Sequence, residues 1–357
     1  MSGTSLDGLD IACCNFYLND GEVDDFDIEI ADTIEFPIQL KTRLLESMGI
    51  TGMDLTQLDF DLGFWIGEQC QSFLTRHHLR PDYIASHGHT VFHQPSQKMT
   101  LQIGNGNAIN AITKLPVIWD FRSLDIALGG QGAPLVPIGD KQLFPDYHIC
   151  VNLGGFVNIS FENGADRKAY DVGVNNIVLN TLAGKLGKPY DAGGKIARSG
   201  TMIDNLRTSL DLLSFYDKPY PKSLGREWVD NEVFPLIDKY SHEKVENLLH
   251  TFTLHLASII ARDLERIWQS NFQNKKGQIL ITGGGAYNDF LIENIQKELS
   301  NDMEVVVPDS TLVEYKEALI FSFMGLLRLK GLNNCLESVT GANRDSCTGV
   351  VSGNFDI

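Results

Sequence analysis

With 357 residues, 43% of them hydrophobic and 21% charged, the chain carries enough apolar material for ordinary globular cores. This excludes a short peptide and bulk disorder, and the length predicts two domains. Lys and Arg total 29 against 46 Asp and Glu, and the resulting formal charge of −17 repels phosphate backbones and anionic lipid at long range. Nucleic acid and membrane surfaces are therefore poor partners. Ten acids fall between Asp7 and Glu35, ahead of the first basic residue, Lys41, so a secretory signal or a basic transit peptide is not expected. No apolar run has membrane-spanning length, and the reading is a soluble, cytoplasmic protein. The six cysteines, Cys13, Cys14, Cys70, Cys150, Cys335 and Cys347, form no C-x-x-C pair and read as reduced thiols.

Period-two apolar alternation predicts strands over Ile11 to Leu18 and Phe26 to Ile34, joined by the polar run from Asn19 to Asp25. Helical spacing follows over 38–48 and 54–78, where Leu55, Leu58, Leu62, Trp65, Ile66 and Phe73 share one face. Short β-rich segments stand at 83–86, 99–103 and 116–119, with a helix over 107–113 between the last two. A second β-rich opening at 147–153, 157–161 and 169–172 leads into helical patterns from about Asn176. Residues 199–243, of mixed polarity and with Pro219 and Pro221, resist assignment. Beyond them the pattern predicts a helix over 248–268, a buried strand at 278–282, a helix over 288–300, a strand at 304–307 and a helix over 313–329. Two β-rich openings that each run into helices predict a duplicated α/β architecture. The expected division is an N-terminal α/β domain over 1–145, joined by the tail 331–357, and a C-terminal α/β domain over 146–330.

Glycine clusters beside three predicted strands: Ser2-Gly3-Thr4-Ser5-Leu6-Asp7-Gly8, Asn152-Leu153-Gly154-Gly155-Phe156-Val157-Asn158, and Thr282-Gly283-Gly284-Gly285-Ala286. Without a Cβ, the backbone amides of such turns approach phosphate closely, and neighbouring hydroxyls add donors. Any one cluster reads equally as a tight turn or a helix cap; three together point to a nucleotide. Neither the G-x-x-x-x-G-K-[ST] loop nor a strand-borne G-x-G-x-x-G is present, which disfavours P-loop and Rossmann proteins. What remains is a triphosphate clasped by hairpin turns across a cleft, as in the sugar-kinase and actin-like superfamily.

Ten segments in order, MSGTSLDGLD, SHGHT, LQIGN, DFRSLDIALGGQGAPLVP, NLGGFVNIS, YDVG, KSLGRE, ITGGGAYN, EALIFSF and SVTGA, span nearly the whole chain and resemble the anhydro-N-acetylmuramic acid kinases. The resemblance implies a two-domain actin-like (ribonuclease H-like) sugar-kinase fold of the α/β class, with the active site in the interdomain cleft. It also implies ATP and Mg2+, a homodimer, and a double reaction on 1,6-anhydro-N-acetylmuramic acid. Water opens the anhydro bridge at C1 while O6 takes the γ-phosphoryl group, giving N-acetylmuramic acid 6-phosphate in cell-wall recycling. The alternatives are a related sugar kinase of shifted specificity, or a catalytically weak sugar or nucleotide sensor.

That chemistry needs a carboxylate to take the proton from water. Asp171, in the Asp-x-Gly position of YDVG, is the expected base, although an Asp there also serves as a helix cap. The resemblance gives the nucleotide to Ser2, Gly3, Thr4, Ser5, Asp7 and Gly8, to Asn152, Gly154, Gly155 and Asn158, and to Gly283, Gly284, Gly285 and Asn288. Asp7 also holds Mg2+. Arg122 is a bidentate partner for the lactyl carboxylate, unless it is spent on its flanking acids Asp120 and Asp125. Glu317, His87, Gln102, Asn105 and Asp120 complete the sugar pocket. His87, His89 and His93 also raise zinc, but no acid accompanies them at ligand spacing. The loop after Asp171 reads Gly-Val-Asn-Asn, with neither a proline-fixed φ nor a second glycine, and so predicts a loosely fixed base.

Overall fold

The structure of the chain, a computed structural model, describes residues 1, 2, 6, 8–272 and 275–354. Gly3, Thr4, Ser5 and Asp7 of the first glycine cluster lie outside the described residues. The chain divides into two compact units, one of Met1–Leu143 with Tyr315–Ile357, the other of Phe144–Glu314.

The Phe144–Glu314 unit is built on one five-stranded sheet in the order Met303–Val306, Gly277–Thr282, Tyr147–Leu153, Phe156–Asn163, Asp166–Val174. The first three strands run parallel and the last two join as antiparallel hairpins. This is the ribonuclease H-like order. The predicted apolar positions Ile149, Val151, Leu153, Val157 and Ile159 are buried, against residues of the long helix Val245–Asn271 among others, but Cys150, Ser160 and the whole run Ile279–Thr282 are buried too, so both faces of the sheet are covered rather than one. That helix buries Leu249, Phe252, Leu256, Ile260 and Leu264, the i, i+3/i+4 stripe of a core-facing helix. Gly173 lets it sit close, since a Cβ there would stand 2.7 Å from Ile259 Cδ1. Between the sheet's two halves in sequence, the segment that resisted assignment forms short pieces: helices Asp204–Asp211 and Phe234–Asp238, and a π-turn Val229–Val233 just ahead of Pro235. Pro235 has no N–H to continue an α-helical ladder, which accounts for the irregular register.

In the other unit the described strands form three small sheets. Leu9–Asn19 and Glu22–Ile34 make a long antiparallel hairpin, tighter than the polar run suggested because only Asp20 and Gly21 turn. Val117–Trp119 pairs in parallel with Ile84–Ala85 and antiparallel with the tail strand Val350–Ser352. His89–Gln94, polar enough to escape the periodicity reading, pairs with Met99–Ile103. The helix Gly52–His77 starts on Thr51, whose hydroxyl oxygen accepts Asp54 N–H at 3.2 Å, and ends with His78 in the left-handed region at φ 57°. Gly63 on this helix allows close packing, because an added Cβ would lie 2.6 Å from Asn105 O.

The helix Ser310–Leu329 crosses the division at Glu314/Tyr315. The sequence reading had kept all of 313–329 with the second domain. From Tyr315 onward its side chains pack among N-terminal residues: the Tyr315 hydroxyl meets Thr33 Oγ1 at 3.1 Å, and Phe321 contacts His87 and Phe121.

Ile149, fully buried in the central strand, carries the clearest stability prediction: Ile149→Ala should cost roughly 2–5 kcal/mol, seen as a lowered urea midpoint. Ile38→Ala, at a side chain 75% exposed, should change stability by less than about 0.5 kcal/mol.

Candidate functional site

Both described glycine turns follow the C-terminal ends of neighbouring parallel strands, the place where open α/β sheets bind ligands. Gly154 and Gly155 are the two-residue tip of the hairpin between Tyr147–Leu153 and Phe156–Asn163. Their carbonyls are drawn to one side: Gly155 O accepts Asn175 N–H at 2.8 Å, and Gly154 O accepts Asn176 N–H at 3.2 Å and the Asn175 side-chain amide at 3.0 Å. In a trans peptide the N–H lies opposite the C=O, so the Gly155 N–H faces the other way. Gly283, at φ 82°, starts the second turn, and a Cβ there would fall 2.4 Å from Asn152 Oδ1. At Gly285 a Cβ would fall 2.5 Å from Asn175 Nδ2 and 2.7 Å from Leu153 Cβ. The two turns thus pack on each other with Asn152 and Asn175 between them, leaving no room for a side chain at Gly283 or Gly285.

The Gly-Val-Asn-Asn loop, expected to fix the base poorly, is where sequence reasoning missed a structural part. Asn175 is fully buried, and with Asn176 it binds the turn at Leu153 to Gly155. The signal available was only a pair of asparagines in a loop, which reads as a cap.

Register carries the site across the sheet. Asp171 stands opposite Asn158, Asn158 opposite Asn152, and Asn152 opposite Thr282. In-register neighbours share a face, so these four polar side chains form one row over four strands. Asp171 ends the row as a strand residue, and its carboxylate caps no helix. Its Oδ2 accepts Leu224 N–H at 2.7 Å, its Oδ1 accepts the Asn158 amide, and its own N–H donates to Lys222 O at 3.0 Å. Burial pushes the Asp171 carboxyl above its ordinary pKa, while the Leu224 N–H, the Asn158 amide and the Lys222 charge oppose that rise. Lys222 and Leu224 were legible only as members of the KSLGRE segment. Asn158, expected on the phosphates, is engaged with Asp171, and the Asn288 side-chain oxygen Oδ1 accepts Leu291 N–H at 3.0 Å as an N-cap.

The residues expected around the sugar lie in the other unit. Arg122 Nε donates to His87 Nε2 at 2.9 Å and its NH1 donates to Gly132 O at 2.5 Å. His87 Nδ1 faces Gly88 O at 2.9 Å, which makes Nδ1 the protonated nitrogen and Nε2 the acceptor. Burial, with the Arg122 charge beside it, holds His87 well below its ordinary pKa and therefore neutral. The acids flanking Arg122 are engaged elsewhere: Asp120 Oδ1 accepts Ser123 N–H, and Asp125 accepts Gly132 N–H, the Thr340 hydroxyl and the Cys335 thiol. Glu317 keeps an exposed face but is raised by desolvation, with Arg122 opposing. Gln102 donates to Thr100 Oγ1 at 2.9 Å and Thr90 Oγ1 at 3.3 Å, while its buried Oε1 has no partner among the described residues. Asn105 is committed to structure: its amide donates to Asp59 at 2.8 Å and its Oδ1 caps the helix Gly106–Thr113. His89 Nδ1 lies 3.3 Å from Ser2 Oγ; Ser2 is buried and bridges to Leu9, just beyond Gly8. Thr33 packs on Gly8, where a Cβ would stand 2.6 Å from Thr33 Cγ2.

Comparison with known proteins identifies the family. The family described as Anhydro-N-acetylmuramic acid kinase matches residues 1–353. The protein of that name from Francisella tularensis subsp. novicida is 34% identical over 96% of this chain and 94% of its own length. Those of Aliivibrio fischeri and Mannheimia succiniciproducens are each 33% identical over 98% of this chain and 97% of theirs. The chain therefore belongs to the anhydro-N-acetylmuramic acid kinase family.

Proposed function

We propose that the chain uses ATP to open the 1,6-anhydro bridge of 1,6-anhydro-N-acetylmuramic acid and to phosphorylate O6, yielding N-acetylmuramic acid 6-phosphate and ADP. The observation that carries this reading is the Asp171 carboxylate, held by the Leu224 N–H and the Asn158 amide at the end of a polar row beside two glycine turns. In the proposed step Asp171 takes a proton from water as the water oxygen bonds to C1. The C1–O6 bond breaks and O6 accepts the γ-phosphoryl group. A carboxylate whose pKa is raised by burial is a stronger base than an exposed one.

The turns at Gly154–Gly155 and Gly283–Gly285 support a nucleotide, because the backbone there is stripped of side chains and closely packed. Arg122, through its guanidinium, would meet the lactyl carboxylate, with neutral His87 fixing its orientation. The unpartnered Gln102 Oε1 suits a sugar hydroxyl donor, and Glu317 suits another. Mg2+, when bound with ATP, would neutralise charge on the transferring phosphoryl group; Asp7, the residue assigned to it from the sequence, lies outside the described residues. An ATP-consuming reaction belongs in the cytoplasm, and among the described residues no helix is long and apolar enough to cross a membrane. A homodimer is the assembly proposed.

Product analysis in heavy-oxygen water tests the reaction. The expected sugar gains one phosphate and one label at the anomeric carbon, and phosphate gain without label would instead select a kinase acting on a simple hydroxyl. Asp171→Asn should lower kcat by roughly 10²–10⁴-fold while leaving ATP affinity within about twofold by calorimetry. Turnover requires ionised Asp171, so activity falls as pH drops through its pKa. Asn158→Leu removes a donor that favours the charged form, and the acid limb of the kcat profile should move to higher pH. Gly285→Ala forces a Cβ into Asn175 and Leu153; it should cost roughly 1–3 kcal/mol in stability and weaken ATP binding, whereas Gly284→Ala, with only Asn176 Nδ2 at 3.7 Å, should leave the melting temperature nearly unchanged.

A further inference from the structure

The Leu224 N–H that holds Asp171 belongs to a stretch, residues 218–225, with neither helix nor strand. A catalytic hydrogen bond from irregular backbone needs something to fix that backbone. Leu224 packs partly buried against the core, and one side chain in the stretch is buried: the Lys222 side chain is 4% exposed and reaches Asp263, itself 2% exposed, on the helix Val245–Asn271 at 3.5 Å. The Lys222 ammonium also lies over the ring of Phe215 at 4.9 Å and that of Tyr170 at 5.5 Å. Tyr170 precedes Asp171 on its strand and stacks on Tyr220 of the irregular stretch, 5.4 Å between centroids and 8° between planes.

The same residue grips Asp171 through its backbone. Lys222 O accepts the Asp171 N–H and, two residues on, Leu224 N–H donates to the carboxylate, a two-point clasp along the outer edge of the strand Asp166–Val174. A buried Lys–Asp pair adds little net stability against an apolar pair of similar volume, so its value lies in fixing geometry. Resting on the reading of Asp171 as the base, we infer that Lys222, anchored by Asp263, is a positioning residue that holds the Leu224 N–H against the base carboxylate. The charges facing the Lys222 ammonium are Asp263, Arg262 and Arg266 on the helix, with the Tyr170 hydroxyl on the strand; those facing Asp171 are Lys222 and the Asn158 and Leu224 donors.

The test uses the full chain. Lys222→Met should lower kcat about tenfold or more with KM for ATP within about twofold. It should also move the acid limb of the kcat profile to higher pH, since both a favourable charge and the clasped N–H are lost from Asp171. Because Lys222→Met takes the buried cation from Asp263 and leaves it only the half-exposed Arg266 at 3.5 Å and the Tyr170 hydroxyl, Lys222→Met/Asp263→Leu is the companion: it should recover the melting temperature without recovering kcat. Carbon-13 carboxylate NMR of Asp171 in the folded double variant should give a higher pKa than in the unsubstituted protein. An unchanged Asp171 titration with unchanged kcat in that variant overturns the inference. If Asp171→Asn keeps full turnover, the assignment of the base fails by itself, while the NMR titration still decides whether Lys222 positions this carboxylate.

Discussion

In the proposed reading, holding the Asp171 carboxylate fixed yet still basic is the constraint on which the site in the Phe144–Glu314 unit depends. Each donor that fixes Asp171 also stabilises its charged form and weakens it as a base, whereas burial strengthens it. The balance here has burial as the larger influence, against one backbone N–H, one side-chain amide and one ammonium that is itself committed to Asp263. The sheet supplies the amide through register, since Asn158 stands directly opposite Asp171, and the irregular KSLGRE stretch supplies the N–H.

A similar economy governs the buried charges. Lys222–Asp263 and Lys316–Asp140 are ion pairs whose side chains are 6% exposed or less. Both cost desolvation that their attraction only partly offsets. Each nonetheless adjoins a residue assigned to the reaction: Lys222 meets Asp171 through its backbone, and Lys316 precedes Glu317. The Arg122–His87 contact works differently, because a neutral imidazole accepts from the guanidinium without cancelling its charge; in the proposed reading that charge, which Glu317 also feels, serves an incoming carboxylate.

Much of this was readable from the chain alone, for reasons that differ by residue. The strands at 147–153 and 278–282 announce themselves through apolar alternation or a short apolar run, and the glycines at 154–155 and 283–285 through their clustering beside those strands, while the left-handed φ of Gly283 and the tight packing at Gly285 belong to the folded chain. His89–Gln94 was hidden because four of its six residues are polar although Val91 is buried. Lys222 was hidden for a stronger reason: a lysine reads as solvated unless its partner is known, and that partner lies on a helix 41 positions further along. Asn175 likewise acts through contacts made by folding, with Gly154 on one side and Gly285 on the other.

The two glycine turns contain no lysine or arginine; between Asn152 and Asn158 and between Thr282 and Asn288 the chain offers only amides, hydroxyls and carbonyls. A polyanion met by oriented dipoles at contact distance is held by forces that dissolved ions screen poorly, unlike attraction between separated charges in water. If these turns hold a triphosphate as proposed, their contribution is tolerant of ionic strength, and a chain of −17 formal charge would keep its long-range repulsion of nucleic acid without forfeiting a phosphate grip.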